Sequence, residues 1–413
     1  MEKIILINLL IAIIFFICYS YQFLYVIASF FKKEQPHQEA KPHHFAVLIA
    51  ARNEEAVIEH LIDSINKQTY DQGEVTVFVV ADNCTDSTAK RARNMGAVVY
   101  ERFNQTKVGK GYAMDYLLDK MEHDYEPFDG YFVFDADNLL DQNYILEMNK
   151  TFSNGYDIIT SYRNSKNYGD NWITAGYALW FLWESEFLNR GRMLLGTSCA
   201  VSGTGFFFSR RIIEKYGGWK FFLLTEDIQF TVDNVLSGEK IGYCQGAMLY
   251  DEQPVTFQQS FRQRMRWAKG FFQVFHRYGR DLFKGSLQRS TSCYDMLMVI
   301  MPAIVLTLFT VVFNGSVILF GNYTIYQEEM ILSMLGRMIA NIYLTLALVG
   351  ALTTATQWKN IHTTSAKKIA YIFTFPLFMF TYIPITIVAF FKKVEWHPIE
   401  HSRAKTLAEI KEG

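Results

Sequence analysis

Four long apolar runs frame this 413-residue sequence, and they restrict the folds open to it more than any other feature. Residues 4–31 are almost continuously apolar and stop at Lys32-Lys33. A helix needs about 20 apolar residues to cross a bilayer, so this run reads as one tilted crossing. It is long for a signal peptide, and no small-residue cleavage site follows it. Basic residues collect on the cytoplasmic side, which assigns Lys32, Lys33 and the segment behind them to the cytosol. Residues 294–320, 331–354 and 369–391 are the other three runs. The connection 321–330 carries Glu328 and Glu329 without a cation and belongs outside, whereas 355–368 carries Lys359, Lys367 and Lys368 and belongs inside. Three closing crossings would leave Lys392, Lys393, Arg403, Lys405 and Lys411 outside, against the charge rule. Pro376 and Pro384 offer the alternative of a re-entrant or interfacial hairpin that brings the tail back. The expected organisation is a membrane helix at 1–33, a cytosolic domain at 42–290, a membrane region of about three helices at 294–391, and a tail at 392–413.

Residues 42–290 alternate between two patterns. Apolar strands at 44–50, 75–81, 97–100 and 131–134 are interleaved with helical segments at 56–68, 87–95 and 109–121. That alternation predicts an α/β domain with a mostly parallel, Rossmann-like sheet covered by helices on both faces. Ligands of such sheets bind at the carboxyl ends of the strands, and the polar clusters of this sequence fall there. Farther on, residues 172–189 are rich in aromatics and suit either a core helix or one against the membrane. Ser202-Gly203-Thr204-Gly205 is a small-residue turn that allows close approach of backbone to a ligand, or simply a strand turn. Residues 261–275 mix aromatic and cationic side chains, as an interfacial helix does. The formal net charge of −1 excludes a broad basic surface for nucleic acid. The five cysteines have no CxxC spacing, so reduced, buried thiols are expected rather than zinc or disulfide frameworks.

Several of these clusters carry chemistry. Asp135-Ala136-Asp137 follows the strand 131–134, where two carboxylates can share Mg2+ or Mn2+ with a diphosphate; solvated turn aspartates are the bland alternative. Asp82 ends the second strand and can accept hydrogen bonds from a base or ribose, or cap the next helix. Arg52 and Lys110 sit on strand-to-helix turns, where a diphosphate could meet a helix N-terminus and a cation; solvated surface charge is the bland alternative for each. Asp227, in Thr225-Glu226-Asp227, stands among Leu223, Leu224, Ile228 and Phe230; desolvation there raises a carboxyl pKa and suits a general base. Thr225 serves equally as a helix cap. Gln263, Arg266 and Trp267 supply an amide, a cation that pairs with phosphate, and a ring on which a sugar can lie. Arg262 and Arg264 could share the phosphate role. Alone, this cluster is also what an interfacial helix with snorkelling arginines looks like. Together the clusters describe a site for moving a sugar off a nucleotide diphosphate.

In this order, Asp82, Asp135-Ala136-Asp137, Thr225-Glu226-Asp227 and Gln263-Arg264-Met265-Arg266-Trp267 resemble the motifs of membrane-embedded processive family-2 glycosyltransferases, the group of cellulose, hyaluronan, chitin and poly-N-acetylglucosamine synthases. The resemblance covers about residues 44–290 and continues into the membrane runs. It implies a GT-A domain, a divalent metal held by Asp135 and Asp137, donor contacts from Arg52, Glu54, Asp82 and Lys110, and Asp227 as base. Gly203, Thr225, Glu226, Gln263, Arg266 and Trp267 would then face the acceptor and diphosphate. The implied donor is a UDP-sugar, UDP-glucose in first place, and the implied product is a β-glucan-type polysaccharide extruded through the plasma membrane by a monomer or a homodimer. Alternatives are UDP-N-acetylglucosamine as donor, transfer of one sugar to a lipid-linked acceptor, or an inactive transport or scaffold subunit. The sequence is short for the group. The nearest candidates for a gating loop are the segment around Trp358 and the tail Trp396-His397-Pro398-Ile399-Glu400-His401.

Overall fold

The computed structural model describes residues 2–32, 40–70, 73–321, 323–396, 398, 401 and 403–412. Lys33, and His397, Ile399 and Glu400 of the tail, lie outside them.

Eight strands form one sheet: β1 (Phe45–Ala51), β2 (Val75–Asp82), β3 (Val98–Arg102), β4 (Gly130–Asp135), β5 (Leu139–Leu140), β6 (Ile158–Ser165), β7 (Phe206–Ser209) and β8 (Ile241–Asp251), in the order β3-β2-β1-β4-β7-β6-β8-β5. β1 to β4 are parallel, as the alternation predicts, and so is the β6–β8 pair. The sheet is nonetheless mixed. β7 runs antiparallel between β4 and β6, and β5 antiparallel to β8.

Alternation along β1 fills two cores at once. Ala46 and Leu48 face one layer with Phe78, Leu179, Phe208 and Phe230. Phe45, Val47 and Ile49 face the other with Leu61, Ile62, Phe132 and Tyr144. Side chains of successive strand residues point to opposite faces, so near-continuous apolar strands need helices on both sides. Register then sets the functional edge. Ala50 pairs with Asp135 and Ala51 with Ala81. The strands end level, and Arg52, Asp82 and Asp135 emerge together.

The aromatic segment resolves into helix Trp172–Trp183, closed at its start by a capping box from Asn171, and a π-helical turn Glu184–Asn189. It belongs to the buried core, under the sheet. It also touches the membrane region, since Gly176 lies where any Cβ would meet the Phe378 ring at 2.3 Å. The interfacial helix is longer than its sequence pattern suggests, running Phe257–Leu287 behind a second capping box at Thr256.

Among the described residues, four helical stretches are long and apolar enough to cross a membrane: Glu2–Phe31, Ala303–Phe320, Ile325–Thr356 and Ser365–Phe391. The last is broken at Thr381 into Ser365–Phe380 and Tyr382–Phe391. Both of its arms lie against the sheet domain. Lys367 Nζ donates to Gly169 O at 2.6 Å, and Lys269 Nζ to Ala389 O at 3.2 Å. Arg264 fills the break. Its Nη1 donates to Phe378 O (3.2 Å) and Thr381 Oγ1 (2.7 Å), while the guanidinium sits 4.3 and 4.7 Å from the Phe378 and Tyr382 rings. Arg264 is therefore a clasp on the membrane segment; its Nε and Nη2 are buried with no hydrogen-bond partner among the described residues.

The tail folds back onto the domain. His401 Nδ1 lies 3.0 Å from both carboxylate oxygens of Glu54, Arg403 pairs with Asp170 (2.9 Å), and Lys411 pairs with Asp141 (2.9 Å). Ile410 is buried against Leu139 and Tyr250. A second anchor holds the N-terminal helix. Arg192 and Asp295, fully buried, form two hydrogen bonds (2.7 and 3.0 Å), and the Tyr21 and Tyr25 hydroxyls donate to the same carboxylate at 2.7 and 2.8 Å. The five cysteines are free thiols.

Candidate active site

The level strand ends bring most of the expected site residues together. Lys110 opens the helix Lys110–Asp124, and its Nζ donates to Asp135 Oδ1 at 2.5 Å and to Gly203 O at 2.9 Å. The Gly203 N–H in turn donates to Asp227 Oδ2 at 2.6 Å. One residue, through the two peptides that flank it, thus bridges the aspartate pair after β4 and the acid at the start of helix Glu226–Leu236. Gly203 has φ +79°, a left-handed conformation that favours glycine. The close approach expected of the small-residue turn is made to side chains of the site itself.

Electrostatics separate the acids. Burial raises the pKa of Asp227, and the Ile228 and Gly203 N–H groups and Lys110 offset only part of that. Glu226 is raised by burial and by the Asp227 charge beside it. For Lys110, burial favours the neutral amine, but Asp135, Glu226 and Asp227 more than compensate and raise its pKa. Asp137 goes the other way. Burial pushes it up, but His401, Lys166 and the Glu252 N–H (2.8 Å to Oδ2) pull it below the usual carboxylate range.

The base-side wall comes from helix Phe257–Leu287. Gly270 rests on Thr225, where a Cβ would lie 2.4 Å from Thr225 Cγ2, and Leu224 N donates to Gln273 Oε1 at 3.2 Å. Trp267 packs edge-on against Tyr177 and Phe181, at centroid distances of 5.7 and 6.2 Å. Thr225 Oγ1, Gln263 Oε1 and Arg266 Nε are buried polar atoms with no hydrogen-bond partner among the described residues. Such groups are rare in folded proteins and call for a ligand or water. Thr225 stands at the N-cap position but makes no side-chain cap bond.

On the far side, Asp82 is buried and paired with Arg102, so its carboxylate already has a protein partner. Asp86 takes the local turn role, accepting Thr88 N–H at 3.0 Å. Arg52 lies 5.4 Å from the Trp396 ring, and Glu54 holds His401; the tail therefore covers the two donor-side residues nearest β1. Trp358 is elsewhere, its ring 4.7 Å from Lys368 Nζ. Sequence reasoning missed Arg163 and Lys166 at the end of β6, and Asp251 and Glu252 at the end of β8. The available signal was that both strands finish in charged residues after apolar runs, as β2 and β4 do.

Two carboxylates, Asp135 and Asp137, are the metal-binding candidates. Their oxygens suit a hard divalent cation. Asp137 fits the role, being buried and held below the usual carboxylate range, with Oδ1 contacted among the described residues by the Asn138 amide at 3.5 Å. No three His, Cys, Asp or Glu side chains among the described residues converge to hold a metal unaided. A nucleotide's phosphates and water would supply the remaining positions.

A parallel-dominated, helix-covered sheet with acids at its carboxyl edge, followed by an amphipathic helix and apolar helices, defines a nucleotide-sugar transferase of the GT-A class. Residues 42–270 match the family described as "Glycosyltransferase like family 2", and the chain belongs to that family. It is 27% identical over 273 residues to a beta-monoglucosyldiacylglycerol synthase of Nostoc sp., covering 63% of this chain and 56% of that protein. It is 24% identical over 238 residues to a poly-beta-1,6-N-acetyl-D-glucosamine synthase of Staphylococcus aureus, covering 56% and 55%. The chain thus spans little more than half the length of these relatives. Its fold resembles that of a mannosyltransferase from Pyrobaculum calidifontis solved with GDP-Man and Mn2+, with a TM-score of 0.57, 13% identity, and 92% and 98% of the two chains covered.

Proposed function

We propose that this family-2 enzyme is an inverting transferase that takes a hexose from a UDP-sugar, UDP-glucose in first place, and extends a β-linked polysaccharide such as a β-glucan across the plasma membrane, with its sheet domain in the cytosol. The observation that carries the reading is Asp227: a carboxylate of raised pKa, oriented by the Gly203 N–H and linked through Gly203 to Lys110 and Asp135.

In the proposed reaction an acceptor hydroxyl oxygen attacks the anomeric carbon while the bond to the diphosphate oxygen breaks. Asp227 takes the hydroxyl proton, and UDP leaves with the electron pair. A divalent ion held by Asp135 and Asp137 would neutralise charge on the departing diphosphate. Lys110 and Arg266 add cationic charge on the same side, and Gln263 and Thr225 offer the unpaired polar atoms that an acceptor or diphosphate would satisfy. Trp267, flanked by Tyr177 and Phe181, gives the acceptor sugar a flat apolar wall. Asp82, already paired with Arg102, contributes by shaping the nucleotide side. The cytosolic placement is supported by the cationic flanks and by the docked tail, which puts Lys405 and Lys411 on the same side as the sheet domain.

A second reading, transfer of a single sugar to a lipid acceptor, is supported by the similarity to the glucosyldiacylglycerol synthase and by the closeness of Trp267 to the membrane segment at Phe378 and Tyr382. UDP-N-acetylglucosamine is the alternative donor. Membranes containing the protein should be given labelled UDP-glucose or UDP-N-acetylglucosamine, and the product extracted and sized. Long, water-retained chains support polymerisation; short, solvent-extractable product alone refutes it and establishes the lipid reading.

A further inference from the structure

We propose that Arg163 is a positioning residue that fixes the base and the acceptor wall relative to each other; this rests on the reading of Asp227 and Trp267 just given. Arg163 lies in β6, with its side chain 14% exposed, and each of its three guanidinium nitrogens donates a hydrogen bond. Nε donates to Asp251 Oδ2 at 2.7 Å, and Nη2 donates to the same oxygen. Nη1 donates to Ser202 O at 2.9 Å. The flat face of the group lies 3.6 Å from the centroid of the Phe181 ring.

Each contact leads to a functional element. Ser202 O belongs to the peptide whose nitrogen is Gly203 N, the donor to Asp227 Oδ2. The next peptide carries Gly203 O, the acceptor from Lys110. Phe181 is one of the two rings against which Trp267 packs. Asp251 is itself held by Gln253 Nε2 at 2.6 Å on its other oxygen. A planar, five-donor fork is needed to reach a carboxylate, a carbonyl and a ring face together. A lysine could keep the charge and one of these contacts, but not the geometry.

The Gly203 turn is also held by the Thr204 N–H donating to Ser202 O (2.9 Å), by Lys110 on Gly203 O and by the Asp135 N–H donating to Thr204 Oγ1, but Arg163 is the side chain that joins it to Phe181 and Asp251. Its left-handed φ must be maintained, and a Cβ at Gly203 would meet only Arg163 Nη1 (3.6 Å) and Asp227 Oδ2 (4.0 Å). Without the Arg163 contact, the turn and the carboxylate resting on it lose their tie to the aromatic wall. Misplacement of a reacting group by about 1 Å costs on the order of 100-fold in rate.

The test uses the full-length protein in nanodiscs and compares wild type, Arg163→Lys and Asp251→Asn. Transfer kinetics are measured with varied UDP-sugar, and UDP binding with Mn2+ is measured without turnover. In Arg163→Lys, kcat should fall on the order of 30–100-fold, while donor KM and UDP affinity stay within about threefold of wild type. Asp251→Asn should lower kcat less and in the same pattern, since it loosens the arginine without removing it. Equal kcat in wild type and Arg163→Lys overturns the proposal. So does loss of UDP binding in step with kcat, which is the mark of general disruption. A wild type that transfers no sugar and binds no UDP refutes the underlying reading of function instead.

Discussion

Replacing Arg192 by Met tests how the membrane helices are tied to the catalytic domain. Asp295 is wholly buried and accepts four hydrogen bonds, two from Arg192 and one each from Tyr21 and Tyr25. These come from the N-terminal helix and from helix Arg190–Leu195, while Asp295 itself lies on helix Thr291–Ile300. Removing the cation leaves a buried carboxylate with only its two tyrosine donors. Breaking a buried pair in this way costs about 3–5 kcal/mol. At about 2 °C per kcal/mol for a chain of this size, the apparent Tm in detergent should drop by about 6–10 °C. The double substitution Arg192→Met with Asp295→Leu removes both charges and should recover most of the loss, since burying the pair is itself costly. The assay is thermal unfolding of the purified protein, followed by size-exclusion fluorescence and arranged as a double-mutant cycle. If Arg192→Met shifts Tm by less than about 2 °C, or the double variant is as unstable as the sum of the singles, the pair is not the anchor its geometry implies.

Further expectations concern the site. Asp227→Asn should lower transfer by about 10²–10⁴-fold, the range for a lost general base, while UDP binding measured by calorimetry is retained; surviving activity would exclude Asp227 as base. The base must be ionised to act, and burial raises the pKa of Asp227. Activity should therefore rise with pH along an acid limb whose midpoint lies above the ordinary carboxylate range, and kcat/KM against pH shows whether it does. Gly270→Ala sets a methyl 2.4 Å from Thr225 Cγ2; overpacking of this kind costs about 1–3 kcal/mol and should lower both Tm and kcat. Leu at Trp267 should raise the acceptor KM more than the donor KM, and equal changes would argue against a sugar-stacking role.

What could be read in advance depended on periodicity. The strands of the first half are unbroken apolar runs, so β1, β2 and β4 and their acidic ends were legible almost to the residue. β6 and β8 were not: Arg163, Asn164 and Ser165 dilute the apolar pattern of the one, and Gln245 and Gly246 interrupt the other. Arg163 and Asp251 went unseen for that reason, although they lie between the base and the aromatic wall. The mixed character of the sheet was equally hidden. β7 has four residues, and only its partners reveal that it runs antiparallel. The pairing of Asp82 with Arg102 follows from the register of β2 against β3, which periodicity does not report even though both strands are legible. The side of the tail was undecided because the charge rule and the apolar length opposed each other. Long-range contacts such as Lys411 with Asp141 put the tail against the sheet domain.

The clasp at Arg264 has a mechanical consequence. Arg264 and Trp267 are three residues apart on one rigid helix. The first grips the bend of Ser365–Phe391, and the second lines the proposed acceptor wall. The bend of the membrane segment and the indole are therefore joined through a single turn of helix, so the orientation of the one and the position of the other are set together.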